Sequence, residues 1–378
     1  MNVPGSVLDL LRDLVAIDSV NPALVPGGAG EREIAARIAS WARASGLDVE
    51  LLEGSPGRPS VVVRARGSGG GRTLLCGHID TVGMHGMRDG HVPRVEGDRL
   101  YGRGAYDMKA GVAAALIACL EAAALGLAGD VVVAAVADEE HASLGIQAVL
   151  RNINADAAIV TEPTELELVV AHKGFVWMRV DVRGRAAHGS RPHLGVDAIV
   201  RSGPILTALG ELDAALADRT HPLLGRGSVH ASRIAGGGEL SSYPAGCVLE
   251  LERRTLPGER ADDVDREIAA LLAACRAAEP SLRATQRMLL VREPFEIAAD
   301  AEIVDIVRAA AQEATGRQPA IGGASYWADA AFIAAAGIPT VMYGPGGEGA
   351  HADVEWVSIA DTVAVARTLV APAARVCA

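Results

Sequence analysis

Residues 60–82 read SVVVRARGSGGGRTLLCGHIDTV. Two short apolar runs, SVVVRA (60–65) and TLLCG (73–77), flank a glycine-rich turn, and neither alternates polar with apolar residues. Near-continuous runs of this kind are what a strand buried on both faces requires. The second run ends in His78 and Asp80, which puts polar groups at the carboxyl end of a buried strand. Outward from this stretch the texture repeats: a helix is predicted over 109–125, followed by the strands DVVVAAVA (130–137) and DAAIVTE (156–162). The fold class is therefore α/β, with a mixed sheet flanked by helices on both faces.

From residue 174 the pattern changes. FVWMRVDVRG (175–184) alternates, a helix is predicted over 195–217, and SVHASRI (228–234) and CVLELERR (247–254) follow, then a helix over 262–277 and QRMLLV (286–291). Strand, helix, strand, strand, helix, strand is the order of a split βαβ unit, an α+β layer with its helices on one face. After residue 292 the α/β texture returns, with helices predicted over 301–315 and 329–336 and the strand IPTVMYG (338–344). The expected organisation is a discontinuous domain, 1–173 with 292–378, into which a domain of residues 174–291 is inserted. A chain of 378 residues suits two cores, because single cores stop growing at roughly 250–300 residues.

Composition excludes several classes of partner. A formal charge of −12 with no basic cluster disfavours nucleic acid and anionic membrane. Apolar runs are broken by charges before the ~20 residues a membrane span needs. The first twenty residues lack the pattern of a secretion signal and read as an amphipathic helix, so the expected location is the cytoplasm. Cys76, Cys119, Cys247, Cys275 and Cys377 are odd in number and never in CxxC spacing, as expected of isolated thiols rather than disulfides or a thiolate cage. The expected partner is a small molecule.

Metal-binding side chains recur at predicted strand ends or in the loops that follow: His78 and Asp80, Glu139 and Glu140 after AVAD, Glu162 after AIVT, and His351 after TVMYGPGGEGA. Asp107, in YGRGAYDMKAG (101–111), is a further candidate. Ligands of open α/β sheets bind at the carboxyl ends of strands, so these groups can converge. Imidazoles with carboxylates form the ligand set that suits zinc, with cobalt or manganese as substitutes. Taken singly each has a plainer explanation: a hydrogen-bonded structural His, a solvated DEE turn, or an Asp capping the helix after it. Their repetition is what argues for a site. GGGE (236–239) and GPGGEG (344–349) lack the context of phosphate loops and read as turns.

The segments GHIDTV (77–82), YGRGAYDMKAG (101–111), DEEHASLG (138–145), TEPT (161–164), RAAHGSRPHLGVDAI (185–199), GGGELSSYPAGC (236–247), ERRTLPGE (252–259) and AHADVEWVSI (350–359) resemble, in order, those of the M20 metallopeptidase family. That group includes acetylornithine deacetylase, succinyl-diaminopimelate desuccinylase, aminoacylase and carboxypeptidase G. The resemblance implies two divalent metal ions, with His78 and Glu162 on one, Glu140 and His351 on the other, and Asp107 bridging. It implies that Asp80 orients the His78 imidazole, that Glu139 is the general base, and that His188 of the inserted lid domain helps stabilise the oxyanion in a neighbouring subunit. It implies a carboxylate anchor at Arg254, with Arg253 beside it as the alternative, and a hinge at Lys173 and Gly174, where the glycine would supply permissive dihedrals. Where the family often has Asn, Ser241 or Ser242 stands here.

The expected protein is thus a dinuclear-metal hydrolase that deacylates an N-acyl amino acid and pairs as a homodimer through the lid. A dipeptidase or carboxypeptidase of the same family is the alternative. A metal-dependent binding protein without hydrolysis is the third reading, and Asp80 and Glu139 argue against it, since a binder has no need of a base.

Overall fold

The structure, a computed structural model, describes residues 6–376. Cys377 lies outside the described residues. The chain divides into two compact units: Met1–Val170, Ile297–Gly322 and Ala328–Ala378 form the first, Ala171–Glu296 and Gly323–Trp327 the second.

In the first unit the strands Asp48–Ser55, Arg58–Ala65, Asp130–Val136, Arg72–His78, Ala157–Val160 and Thr340–Met342 lie side by side in that order. The last four are mutually parallel and the first two antiparallel, so the sheet is mixed. Both side-chain sets are buried: Val61, Val63, Leu75, Val131, Val133 and Ile159 pack against the helices on one face, while Val62, Leu74, Cys76, Val132 and Ala134 fill the other. That double burial is why these strands read as unbroken apolar runs. Helices Val7–Val15, Arg32–Ala44, Ala110–Leu125, Glu302–Thr315 and Ile359–Val376 belong to the first face. The short helix Leu144–Leu150 covers the second, packing on Asp48–Ser55, Arg58–Ala65 and Asp130–Val136.

The helix Ala110–Leu125 is apolar almost all round, and eleven of its residues are buried. With the turn that precedes it, Ala105–Leu125 is long and apolar enough to cross a membrane, yet most of it is buried within the protein. Such a helix is one at the centre of a core. Its first turn lies so close to the strand ends that a Cβ on Gly111 would meet the Thr161 carbonyl oxygen at 2.0 Å.

A second, small sheet was not expected from the sequence. Gly347–Glu348, Trp356–Ser358, Arg99–Tyr101 and Arg94–Glu96 pair antiparallel in that order. GPGGEG is therefore in part a strand rather than wholly a turn. This sheet brings the loops carrying Asp107 and His351 together although the chain separates them widely.

In the second unit the strands Ser228–Gly236, Gly246–Thr255, Gly174–Arg183 and Arg283–Arg292 form one antiparallel sheet in that order. Alternate residues Val176, Met178, Val180 and Val182, with Leu249 and Leu251, pack against Ile205 and Leu209 of helix Ala198–Ala215 and Val264, Ile268 and Leu272 of helix Ala261–Ala278. This is the split βαβ layer that the period-two pattern implied. The first of these helices starts where Asp197 accepts a bond from the Val200 amide, 2.9 Å away. Gly174 does not supply the permissive dihedrals expected of it. It is not among the residues with positive φ; it opens a strand, and a Cβ there would meet the Arg292 carbonyl at 2.4 Å. Close backbone approach, not permissive dihedrals, explains the glycine.

Candidate active site

The four parallel strands of the first unit point their carboxyl ends to one edge, and the chain delivers a polar group there each time it passes. His78 ends the strand Arg72–His78 and is buried. Its Nε2 lies 3.0 Å from Asp107 Oδ1, and its Nδ1 lies 2.9 Å from the backbone carbonyl of Asp80. The Asp80 carboxylate is farther from Nδ1, at 3.7 Å. That carboxylate instead accepts the backbone amides of Glu139 at 3.1 Å and Glu140 at 3.2 Å, and the Asn21 side-chain amide at 2.8 Å. Asp80 thus holds His78 through its backbone and the Glu139–Glu140 turn through its side chain.

That turn exists because the strand stops at Val136 and Asp138 reverses the backbone at φ 67°, with the Ala142 amide bonding back to the Asp138 carbonyl at 3.0 Å. Neighbouring strand residues face opposite ways, whereas a turn lets adjacent side chains serve one site. Asn21 bridges Asp80 and Asp138, and Arg58 reaches Asp138 at 3.1 Å and Glu31 beyond it. Glu162 follows the strand Ala157–Val160 and is buried. His351 sits at φ 61°, in the left-handed region, on the loop between two strands of the small sheet. Its Nε2 is 3.1 Å from Glu140 Oε2 and 3.4 Å from Asp107 Oδ2. Asp107 does not cap the helix after it, whose first turn carries no side-chain cap.

Two triads have ligand atoms all within 4.8 Å of one another: His78, Glu139 and Glu162, and His78, Asp107 and Glu140. Glu139 therefore stands as near His78 and Glu162 as a ligand would, which the sequence did not anticipate. Burial pushes Glu139 and Glu162 well above the ordinary carboxylate range; His78 opposes this and the neighbouring carboxylates add to it. Burial raises Glu140 as well, reinforced by Asp107. For Asp107 burial is outweighed by its bonds to His351 and His78, and its carboxyl is held down. Bonds to Asp107 and Glu140 push His351 up to about 10. So many carboxylates this close, each resisting ionisation unless a proton sits on a neighbouring imidazole, form a site that demands cations. The donor set and its spacing fit divalent metal.

Sequence reasoning passed over several supporting residues. Asn21, Asp138, Arg103 and Glu355 are buried behind the site, and Asp329, also buried, adds to the negative field on Glu139 and Glu162. Nothing local in the sequence marks them, apart from charged residues sitting amid apolar runs. In the second unit, His188 is exposed, with Nδ1 2.8 Å from Ser190 Oγ, and Ser242 bridges its backbone. Arg253 is 2% exposed and bonded to Glu259 and Glu267, whereas Arg254 bonds Glu252 and lies over the Phe175 ring.

A buried and an exposed imidazole, with buried and half-buried carboxylates, gathered beside the ends of parallel strands define a metal-dependent hydrolase. The sequence profile of peptidase family M20/M25/M40 matches residues 74–374, and the chain belongs to that family. It is 32% identical over 294 residues to an acetylornithine deacetylase of Vibrio atlanticus (strain LGP32), covering 74% of this chain and 76% of the relative. Its fold superposes on a tripeptidase from Staphylococcus aureus with TM-score 0.80 at 20% identity, covering 98% of each chain. It also superposes on a dinuclear metal-binding M20 peptidase of Bacillus subtilis with TM-score 0.71 at 16% identity, over 98% and 97% of the two chains. This protein is a metal-dependent hydrolase of amide bonds.

Proposed function

We propose that this enzyme removes the acyl group from an N-acyl amino acid, using two zinc ions or cobalt or manganese in their place. The observation that carries the reading is the position of Glu139, half-buried beside His78 and Glu162 with its backbone amide fixed by Asp80. In this reading His78 and Glu162 would hold one cation and Glu140 and His351 the other, with Asp107 available to both; bound divalent metal would supply an acidified water and polarise the scissile carbonyl. Glu139 takes the proton of the attacking water and hands it to the departing nitrogen, which must be protonated to leave. Arg254 grips the substrate carboxylate, since Arg253 is already committed to Glu259 and Glu267. His188 donates to the developing oxyanion within a homodimer joined through the second unit. The cytoplasm is the proposed location.

The deacetylase relative supports deacylation, and the tripeptidase likeness keeps peptide cleavage as the second reading. A panel of N-acetyl amino acids, N-acetylornithine among them, and unblocked di- and tripeptides, assayed with and without chelator, separates the two. Chelator-sensitive release of acetate supports the proposal. Turnover confined to peptides would replace it with the second reading, and full activity in chelator would remove both.

A further inference from the structure

Glu355 is buried, and its carboxylate accepts four hydrogen bonds. Oε2 takes Arg103 Nη1 at 2.8 Å and the Gly104 amide at 3.0 Å; Oε1 takes the amides of Tyr106 at 2.9 Å and Asp107 at 3.1 Å. Arg103 is 1% exposed, and its second terminal nitrogen donates to the Ala352 carbonyl at 2.8 Å. One ion pair therefore clamps the backbone at Asp107 itself and at the residue after His351. The small sheet brings these loops close, but a loop leaving a short strand retains freedom of its own. Three backbone amides bonded to one carboxylate, itself held by Arg103, take that freedom away from residues 104–107.

A buried ion pair is weak evidence for stability, because desolvation offsets most of the attraction and apolar replacements of similar size are often neutral or better. Its partners here are amides of a candidate ligand loop, and groups of this kind behind a metal ligand govern its orientation. We propose that the Arg103–Glu355 pair is a positioning device. It sets the separation of Asp107 and His351 and thereby the affinity for the cation these residues share with Glu140. The inference rests on the reading of those three residues as ligands.

The test is calorimetric titration of the full chain, stripped by chelator, with Zn²⁺. Wild type should take up two cations. Glu355→Asp keeps the charge but is one methylene too short to reach all four donors; it should weaken one of the two affinities by roughly 10–100-fold and leave the other unchanged. Leu100→Ala, which opens a cavity in the small sheet at a fully buried position, should lower the melting temperature without moving either affinity. Should E355D not fold, the double variant E355Q/R103M, which removes both buried charges together, takes its place with the same expectation. Two wild-type affinities in the glutamate variant, or an equal loss in L100A, would overturn the positioning role. Fewer than two cations on the wild type would overturn the site reading itself, and this inference with it.

Discussion

The carboxyl edge of the first unit and the loops of the second treat their polar side chains in opposite ways. At the edge, His78, Glu139, Glu140, Glu162 and Asp107 are buried or nearly so, and the backbone beneath them is held by Asp80 and Glu355. In the second unit His188 is exposed and bonds Ser190, and the Arg254 side chain bonds Glu252 and lies over the Phe175 ring. Electrostatic chemistry gains from low dielectric and fixed geometry, because groups that need not reorganise are worth more in the transition state. Recognition of a charged ligand tolerates, and often uses, a side chain that still has room to move. The contrast predicts that damage to the buried edge appears in turnover and damage to the second unit mainly in smaller or binding effects.

The largest effect is expected for Glu139→Gln, which should lower kcat by about 10³–10⁴-fold, at or near the top of what general-base removal produces. Metal content measured on the same sample sharpens the result. Two retained cations fit a base, whereas loss of one would make Glu139 a ligand, as its distance to His78 and Glu162 permits. Next, His188→Ala should reduce kcat by about 10²-fold with metal content unchanged, as for an oxyanion donor; unaltered steady-state kinetics would leave that histidine a surface residue. A smaller change is expected from Arg254→Ala, which should raise KM roughly tenfold or more at nearly constant kcat, in line with ~1.5–3 kcal/mol for a charged hydrogen bond. If R253A gave that phenotype in a folded protein and R254A did not, the anchor would be the other arginine.

The smallest effect concerns the chelated protein and pH. His351 is held up to about 10 in the folded chain against 6.5 ordinarily, so the stability it contributes is fully present below 6.5 and is lost as pH rises toward 10. Glu139 and Glu162, raised by burial, act in the same direction above the ordinary carboxylate range, because the folded state then binds more protons than the unfolded. The melting temperature of the metal-free protein should therefore fall between pH 7 and 10, and His351→Ala should flatten part of that slope. A profile independent of pH would mean that these groups are not coupled as the distances indicate.

Much of this molecule is legible in its sequence. Buried parallel strands announce themselves as unbroken apolar runs, so 60–65, 73–77, 130–137 and 156–162 could be placed, and the ligand types at their ends pointed to metal. The alternation in 175–184 and 247–254 separated a second kind of sheet. Among the elements that escaped notice, the short strands Arg94–Glu96, Arg99–Tyr101, Gly347–Glu348 and Trp356–Ser358 are too brief to show a period, while Asp48–Ser55, with no residue fully buried, carries no apolar run to mark it. Gly174 was read through its conformational freedom, when the nearby Arg292 and Thr255 backbone and side chain leave no room for a Cβ. The motif ties Asp80 to the His78 ring, whereas that its carboxylate also accepts the Glu139 and Glu140 amides has no mark in the sequence.

Residue types and their periodicity were enough to name the fold class and a group of candidate metal-binding side chains, and the ordered motifs carried the family resemblance, because burial and metal affinity are properties that each segment carries locally. Which carboxylate holds which backbone amide, and that Arg103 and Glu355 meet at all, was decided by tertiary structure alone. Those partners lie some 250 positions apart in the chain, and a contact between two distant loops has no periodicity to betray it. It follows only from how the strands between them are ordered and closed.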